Sequence, residues 1–288
     1  MKTIAIIGAG NMGGAIAKGL IKAGTCSAKE IICTAKTEET LNRLRNYAPT
    51  LRVSRDNKEA VRKADIIVLT VKPWLMDEVV EEIRPHVDLK RQLIVSVAAG
   101  ITLHELTHLL IPDYEQYERE RIFAMAEERE PQFPDTFAEP ALFRVVPNTA
   151  AEVRESITFI ASRGATEEQT ELICQLFASI GHTMVVKEQL IPAGTALASC
   201  GIAFAMRYIR AAMEGGVEMG FRPEEAARIV EHTVKGAAML LLENNGHPEA
   251  EIDKVTTAGG ITIKGLNAME RAGFTNAVIE GLKASNQQ

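Results

Sequence analysis

The first thirteen residues constrain the fold of this chain more than any other stretch. An apolar run at 4–7 leads directly into Gly8-Ala9-Gly10-Asn11-Met12-Gly13, which opens into a segment with apolar residues at helical spacing. A strand, a G-x-G-x-x-G turn and a helix in this order are typical of dinucleotide-binding proteins. Gly8 permits the tight turn, Gly10 lets a pyrophosphate approach the backbone, and Gly13 lets the helix pack closely on the strand. We therefore predict a nucleotide site at the helix start, with a plain strand–helix turn as the alternative.

Four further segments predict the sheet to which this turn belongs. Residues 30–34 and 51–53 are short apolar segments, whereas 66–71 and 93–97 are continuous β-branched runs typical of central strands. Helical segments alternate with them, which predicts a doubly wound parallel sheet. Ligands bind outside the carboxyl ends of such strands, so the residues after the two central strands are candidates for the site. These residues are Lys72, Pro73, Ala98 and Ala99.

The end of the second predicted strand bears on the choice of cofactor. An NAD-preferring site carries Asp or Glu there to hold the ribose 2′-hydroxyl. Here the residues are Thr34, Ala35, Lys36 and Thr37, with no carboxylate before Glu38. A lysine and two hydroxyls suit a 2′-phosphate, which predicts NADPH as the cofactor and keeps NADH as the alternative. Lysine lacks the fork geometry of arginine. The alternative that Lys36 is an ordinary solvated side chain therefore stays open.

The pattern of residues in the last third of the chain changes to one typical of packed helices. Small residues recur at about four-residue spacing, and Pro223 stands where the first turn of a helix over 224–243 belongs. Thr275 is predicted to cap the last helix. The scarcity of polar positions on these helices indicates burial against a second subunit. We predict an α/β chain with a Rossmann-type NAD(P)-binding domain at 1–187 and an all-α substrate-binding and dimerisation domain at 188–288.

Charge and cysteine content narrow the class of protein. The net charge is −6, and residues 113–139 carry nine acidic and three basic side chains, which predicts a solvated surface insert and no nucleic-acid partner. The four cysteines form no C-x-x-C pair, as expected of reduced residues in a cytoplasmic protein. The sequence also shows no basic segment followed by an apolar one at its start, so export is not predicted. The longest uncharged run, Gln189–Met206, is too short and too weakly apolar to predict a membrane span.

Residues 104–108 read His-Glu-Leu-Thr-His and match the H-E-x-x-H helix motif of zinc proteases. In that motif both histidines bind zinc and the glutamate activates water. Pro112 ends the helix one turn later, and no histidine follows at the spacing of the extended motif. Glu127 or Glu128 is the open choice for a distant third ligand. Two surface histidines explain the pattern as well, and we predict no metal site.

Residues 254–270 form a second candidate site. A pair of threonines and the pair Gly259-Gly260 immediately precede an amphipathic helix. Free N–H groups at a helix start, with hydroxyls beside them, suit a carboxylate. A threonine-capped, glycine-flexible helix entry is an equally good interpretation from the residues alone.

The chain resembles the pyrroline-5-carboxylate reductase family, and the match runs nearly end to end. The residues that carry the resemblance are Gly8 to Gly13, Val71-Lys72-Pro73, Ser96-Val97-Ala98-Ala99-Gly100, Val146-Pro147-Asn148-Thr149, His247-Pro248, and Val255 to Glu270. The last stretch is the family's signature and is far more specific than the glycine motif.

The resemblance implies reduction of 1-pyrroline-5-carboxylate, a cyclic imino acid, to proline by NADPH or NADH. It places Asn11 and Met12 over the cofactor and Asn57 near the adenine ribose. The nicotinamide side is implied at Val71, Lys72, Pro73, Ala98 and Ala99. The substrate residues implied are Thr257, Gly259, Gly260 and Thr262, with the Thr262 hydroxyl near the ring nitrogen as the catalytic contact. The resemblance also implies a homodimer or higher homo-oligomer that completes the site.

Departures from the family pattern keep other functions open. Ala258 replaces the usual proline of the signature, while Ile261 and Ile202 add bulk near the substrate helix. A related cyclic-imine or 2-oxoacid reductase with a shifted substrate is therefore one alternative. A non-catalytic nucleotide-binding protein, motivated by the acidic insert at 113–139, is another.

Overall fold

A computed structural model describes residues 2–134 and 139–286. The chain divides into two compact units between Ser199 and Cys200. The domain boundary after residue 187 stays a prediction. Part of the acidic segment, residues 135–138, lies outside the described residues.

The strands of the first unit form one sheet with the order β3-β2-β1-β4-β5-β6-β7-β8. Neighbours from β3 through β6 are parallel, β7 is antiparallel to β6, and β8 is parallel to β7. The strands are β1 (Ile4–Ile7), β2 (Ile31–Thr34), β3 (Arg52–Ser54), β4 (Ile66–Leu69), β5 (Leu93–Ser96), β6 (Ala141–Val146), β7 (Ser156–Arg163) and β8 (Gly181–Val185). This order confirms the predicted doubly wound sheet, whose direction of winding reverses at β1 and β4.

The register brings the predicted ligand segments to one edge. Ile7, the last residue of β1, pairs with Thr34 of β2 on one side and with Leu69 of β4 on the other. The segments that follow these three strands therefore leave the sheet together.

Helices cover both faces of this sheet. They are α1 (Asn11–Ala23), α2 (Glu38–Tyr47), α3 (Asn57–Lys63), α4 (Met76–Ile83), α5 (Leu103–Leu110), α6 (Tyr114–Ala126), α7 (Glu167–Ala178) and α8 (Ile191–Gly194). The starts of α2, α3, α5 and α7 are fixed because the side chains of Thr37, Asp56, Thr102 and Thr166 accept backbone N–H groups of the first turn. One apolar core lies between the sheet and the layer of α1 and α7, and a second lies under α3, α4 and α5.

The acidic segment is more firmly attached than the sequence predicted. Most side chains of α6 are exposed, but Tyr114 at its start is fully buried. The Tyr114 hydroxyl accepts hydrogen bonds from Arg121 at 3.1 Å and from Arg163 of β7 at 2.9 Å. A wholly solvated insert is therefore the wrong description, because one aromatic side chain anchors α6 to the sheet.

The second unit is helical, as predicted. It contains α9 (Gly201–Glu218), α10 (Pro223–Asn244), α11 (Pro248–Lys254), α12 (Ile261–Arg271) and α13 (Phe274–Ser285). Of its described residues, Gly216 and Ala226 alone are buried within the chain. Many large apolar side chains of this unit are thus exposed, including Met206, Leu240 and Leu242.

Two predictions for the helical region need correction. Thr275 does not cap α13: the cap position is Gly273, with φ of 82°, and the Thr275 hydroxyl donates to Glu270 Oε2 at 2.7 Å. The helical stretch Glu188–Glu218 is also longer than the uncharged run seen in the sequence. By length and composition alone it is apolar enough to cross a membrane, with a mean hydropathy of 1.4 in its most apolar window.

Candidate cofactor and substrate sites

The glycine turn between β1 and α1 is held by its neighbours in the sheet. Gly8 adopts φ of +89°, and a Cβ atom there would lie 2.6 Å from Val71 Cγ1. The N–H groups of Gly8 and Ala9 donate to the carbonyl oxygen of Thr34 at 3.1 and 2.7 Å. These bonds fix the turn at the edge where the segments after β1, β2 and β4 meet.

The start of α1 offers an open anion site. A Cβ atom at Gly10 would meet nothing nearer than the Gly8 carbonyl oxygen at 3.9 Å, so the backbone is open to approach. At Gly13 a Cβ atom would lie 2.4 Å from Thr70 Oγ1. Only glycine therefore lets α1 pack this closely on the sheet. No side chain caps α1, and its first turn holds no acidic residue. The uncapped N–H groups and the positive end of the helix dipole fit a pyrophosphate.

Asn11 and Met12, the first two residues of α1, lie at this open helix start. The Asn11 side chain is exposed, whereas Met12 is half-buried and packs against the core. The amide of Asn11 is therefore the more accessible of the two to a ligand.

The residues that follow β2 differ in how free they are to contact a cofactor. Thr34 is buried, and its hydroxyl oxygen accepts the Gly8 N–H at 3.3 Å, so this side chain helps to position the glycine turn. Thr37 caps α2 and its hydroxyl donates to Thr40 Oγ1 at 2.9 Å. Lys36 is exposed, with its Nζ atom 3.6 Å from Glu78 Oε1. Exposed ion pairs are weak, so the Lys36 ammonium is available to a phosphate.

The other predicted cofactor residues lie at the same edge. Lys72 is exposed and Pro73 begins a short 3₁₀ turn. Ala98 is buried, whereas Ala99 is exposed. At the start of α3, Asn57 Nδ2 donates to Glu82 Oε2 at 2.9 Å, which leaves its amide oxygen for a ligand.

Trp74 is a further side chain at this edge, one that was not predicted from the sequence. It is the only tryptophan of the chain and is 77% exposed. The Lys72 ammonium lies 6.0 Å from the centre of its ring. The sequence signal was its position, because Trp74 directly follows Lys72-Pro73 at the carboxyl end of a predicted central strand, where ligands bind.

The predicted substrate segment lies in the second unit, between α11 and α12. Gly259 adopts φ of +71°, and the Gly260 N–H donates to the Thr257 carbonyl oxygen at 2.9 Å, closing a tight turn. A Cβ atom at Gly260 would lie 2.5 Å from Thr257 Oγ1. As at α1, no side chain caps α12 and no acidic residue lies in its first turn. Thr257 and Thr262 are both exposed beside this open helix start, which suits a carboxylate.

The glutamate of the H-E-x-x-H motif has another task. Glu105 accepts hydrogen bonds from the backbone N–H and the hydroxyl of Thr102 at 2.7 and 2.8 Å. These two bonds lower the pKa of its carboxyl. With its carboxylate committed to capping α5, Glu105 is not placed to activate a metal-bound water.

Comparison with protein families matches both units. Residues 3–100 match a family described as NADP oxidoreductase, coenzyme F420-dependent. Residues 188–288 match a family described as pyrroline-5-carboxylate reductase dimerisation.

Curated relatives match along the whole chain. Identity is 34% to pyrroline-5-carboxylate reductase 2 of Dictyostelium discoideum, over 100% of this chain and 92% of that protein. It is 33% to the pyrroline-5-carboxylate reductase of Methanosarcina acetivorans, over 99% and 97% of the two chains. Pyrroline-5-carboxylate reductase 1 of Dictyostelium discoideum is 36% identical, but the chain spans only about half of its length, 49%.

Solved structures share the fold. A pyrroline carboxylate reductase from Plasmodium falciparum, solved with NADP bound, has a TM-score of 0.82 at 23% identity, over 99% of this chain and 95% of that one. A pyrroline-5-carboxylate reductase from Coxiella burnetii has a TM-score of 0.81 at 25% identity, over 99% and 96%. The same arrangement of strands and helices therefore recurs at low identity.

Proposed function

The chain belongs to the pyrroline-5-carboxylate reductase family, and on that premise we propose that it reduces 1-pyrroline-5-carboxylate to L-proline, the last step of proline biosynthesis, with NADPH as the preferred donor. The observation that carries the proposal is identity of 34% along the whole chain to a protein of that name. Two open helix starts, at α1 and α12, supply an anion site in each unit. A reductase of shifted substrate is not favoured, since the relatives that match the whole chain carry this name.

The first unit supplies the cofactor site. The pyrophosphate lies against Gly10, Asn11 and the uncapped N–H groups of α1, where no side chain blocks the approach. Lys36 reaches the 2′-phosphate by leaving its weak pair with Glu78. The absence of a carboxylate at the end of β2 removes the group that would hold a free 2′-hydroxyl, which supports NADPH over NADH.

Trp74 forms one wall of the adenine site in this proposal. The contacts of Lys36 with Glu78 and of Asn57 with Glu82 put α4 beside the ends of β2 and the start of α3. Trp74 lies in the short 3₁₀ turn that leads into α4, four residues before Glu78, and its ring is exposed there. Stacking of a base on an aromatic ring contributes about 1–3 kcal/mol.

The single tryptophan makes this arrangement measurable. We expect 2′,5′-ADP, which carries only the adenosine end, to quench the Trp74 fluorescence, and nicotinamide mononucleotide to leave it unchanged. By calorimetry, Trp74→Ala should weaken 2′,5′-ADP binding about tenfold, in line with the loss of one stacked base. Unchanged affinity for 2′,5′-ADP in that variant would exclude stacking on Trp74. It would not bear on the proposal that the protein is a reductase.

The second unit supplies the substrate site. The carboxylate accepts N–H groups at the start of α12 and the hydroxyl of Thr257, and the Thr262 hydroxyl contacts the ring nitrogen. When bound, the dihydronicotinamide supplies a hydride to the carbon of the C=N bond. The nitrogen already carries its proton because the imine enters as the iminium ion, so the product is a neutral secondary amine nitrogen within the ring. No side-chain acid is needed, and the work of the protein is to position the anionic cofactor beside the iminium carbon of a substrate held by its carboxylate.

The experiment that tests the role of Thr262 is a matched pair of isosteric variants. Thr262→Val removes the exposed hydroxyl and should lower kcat/KM for pyrroline-5-carboxylate by about tenfold to a hundredfold, the range for loss of one hydrogen bond to a charged group. The Kd of NADPH should stay at the wild-type value. Thr256→Val is the control, because the Thr256 hydroxyl is spent on the Ile252 carbonyl oxygen at 2.6 Å. Equal kcat/KM in the two variants would remove Thr262 from the site.

The assembly is a homo-oligomer, as the match to the dimerisation family indicates. The proposal here is a homodimer or higher assembly formed through the helices of the second unit, whose apolar side chains are left exposed within one chain. Coverage by a second copy also accounts for the apolar stretch Glu188–Glu218 without a membrane. The proposal includes a cytoplasmic location, because the cysteines of the chain are free and scattered.

A further inference from the structure

We propose that His104, His108 and Glu118 form a binding site for one divalent transition-metal ion of the zinc type, joining α5 to α6. One potential ligand atom from each of these residues lies within 4.8 Å of the other two. The His104 Nδ1 atom lies 3.7 Å from Glu118 Oε1. This departs from the sequence prediction of no metal, because Glu118 of the acidic segment lies beside the two histidines as a third ligand, where the sequence left open Glu127 or Glu128.

The fold brings the three side chains together through two helical turns and one buried anchor. His104 and His108 are four residues apart on α5, and their ring centres are 4.4 Å apart. The ring of Tyr114 packs edge-on against His108 at 5.5 Å, and Tyr114 is buried at the start of α6. Glu118 follows Tyr114 by one helical turn, so the same face of α6 carries its carboxylate toward α5.

One pair of ligand atoms is already close to the spacing that an ion needs, and the remaining separations, within 4.8 Å, close by rotation of the side chains. Zinc binds histidine nitrogen and carboxylate oxygen at about 2.0–2.2 Å in a tetrahedral arrangement, which puts neighbouring ligand atoms about 3.3 Å apart. The separation of 3.7 Å between His104 and Glu118 is already close to that value. Two histidines and one glutamate leave the fourth position to water.

Arg163 is the charge that opposes this site. Its Nη2 atom donates to Glu118 Oε1 at 3.1 Å. An ionised carboxylate offers about four lone-pair positions. The Glu118 carboxylate can therefore accept the hydrogen bond from Arg163 and bind a metal ion at the same time. The guanidinium charge lowers the affinity but also fixes the carboxylate in place.

The site is a structural clamp and not a hydrolytic centre. The carboxylate of Glu105 is held by Thr102, so it does not face a metal-bound water. An ion between His104 and Glu118 would instead fasten the acidic segment to α5 and stabilise the folded state by mass action.

Calorimetric titration of Zn²⁺ into the full chain, free of any affinity tag and stripped with a chelator, tests the proposal. We expect one equivalent of zinc per chain and a rise in Tm on binding. His104→Gln, His108→Gln and Glu118→Gln should each weaken binding at least tenfold and abolish the rise in Tm. His104 is more than half exposed, so that variant keeps its fold without metal.

Two control variants separate this site from other sources of zinc binding. Glu105→Gln keeps the capping box, because glutamine also caps, and His182→Ala removes an exposed histidine on β8. Both should bind zinc as the wild type does. Loss of binding in Glu105→Gln would make Glu105 a ligand in place of Glu118 and overturn the proposal. Equal binding in all variants, or none in the wild type, would overturn it as well.

Discussion

Gly13 and Gly14 are adjacent in the first turn of α1, yet an added methyl group meets different surroundings at each. At Gly13 it would lie 2.4 Å from Thr70 Oγ1, whose own bonds to the Ile7 and Gly8 carbonyl oxygens hold it in place. At Gly14 the nearest atoms are the Ala9 carbonyl oxygen at 3.7 Å and Leu44 Cδ2 at 3.9 Å, which is ordinary contact. The two positions are therefore a matched pair.

We expect Gly13→Ala to lower the free energy of unfolding by about 1–3 kcal/mol, the usual effect of overpacking. Gly14→Ala should leave it unchanged or raise it by up to about 1 kcal/mol, since alanine is the better helix former. Urea denaturation at one fixed protein concentration measures both. Equal losses in the two variants would contradict the packing argument.

Lys36 and Glu78 give a second prediction for single residues. Lys36→Gln should weaken NADPH binding about fivefold and leave NADH binding unchanged, because an exposed charge pair contributes up to about 1 kcal/mol. Glu78→Gln should act in the opposite direction, since it frees the ammonium from its 3.6 Å partner. Fluorescence titration with both cofactors at low salt measures the ratio. A parallel change in NADH affinity would remove the 2′-phosphate from the explanation.

At the level of residues, the sequence predicts backbone requirements better than side-chain directions. The positive φ of Gly8 and the close approach at Gly13 follow from the glycine spacing. The cofactor contact of Thr34 stays a prediction, and the bond that its hydroxyl oxygen accepts from the Gly8 N–H was not foreseen. Nothing in the motif sets which face the last residue of β2 presents.

At the level of elements, helix starts are predictable where a side chain caps them. The Thr166 hydroxyl accepts the Gln169 N–H at 3.1 Å, and the Gln169 side chain accepts the Thr166 N–H, so α7 begins in a capping box. Thr275 was also predicted to cap a helix, but Val278 stands where a capping box needs Glu or Gln, and Gly273 holds the cap position of α13. Because Gly273 adopts a positive φ, α13 starts directly after the turn from α12 and Thr275 falls inside the helix.

Replacing each threonine by alanine tests this distinction. Thr166→Ala should lower the free energy of unfolding by about 1 kcal/mol, the usual contribution of an N-cap. Thr275→Ala should cost clearly less, because its hydroxyl makes an exposed bond to Glu270 and caps nothing. Thermal unfolding of both variants gives the comparison. A larger loss for Thr275→Ala would reverse the assignment of the cap.

The acidic segment shows what element prediction misses. Charge density predicted a solvated insert at 113–139, and most of α6 is exposed. Its anchor depends on Tyr114 meeting Arg163, which lies 49 residues away in the chain. A contact of that range depends on the register of the whole sheet, which local composition does not encode.

At the level of the whole molecule, the two units differ in how much apolar surface they bury. The sheet of the first unit has a core on both faces, whereas the helices of the second unit leave side chains such as Leu242 72% exposed. A second copy of the chain is the natural cover for such a surface.

A charge placed on that surface should therefore break the oligomer. We expect Leu242→Glu to shift the mass in solution from dimer or higher toward monomer and to lower activity with it. Met125→Glu is the control, because Met125 is 84% exposed but lies on α6 of the first unit. Light scattering after size-exclusion chromatography measures both. A monomer produced by Met125→Glu, or an intact oligomer in Leu242→Glu, would place the interface elsewhere.

The most direct test of the central claim is the stoichiometry of turnover by the purified chain. With NADPH and 1-pyrroline-5-carboxylate, we predict one proline formed for each NADPH oxidised, faster than with NADH. No NADPH oxidation is expected when a 2-oxoacid replaces the imino acid. Oxidation with the oxoacid alone, or cofactor binding without proline formation, would contradict the proposed reaction.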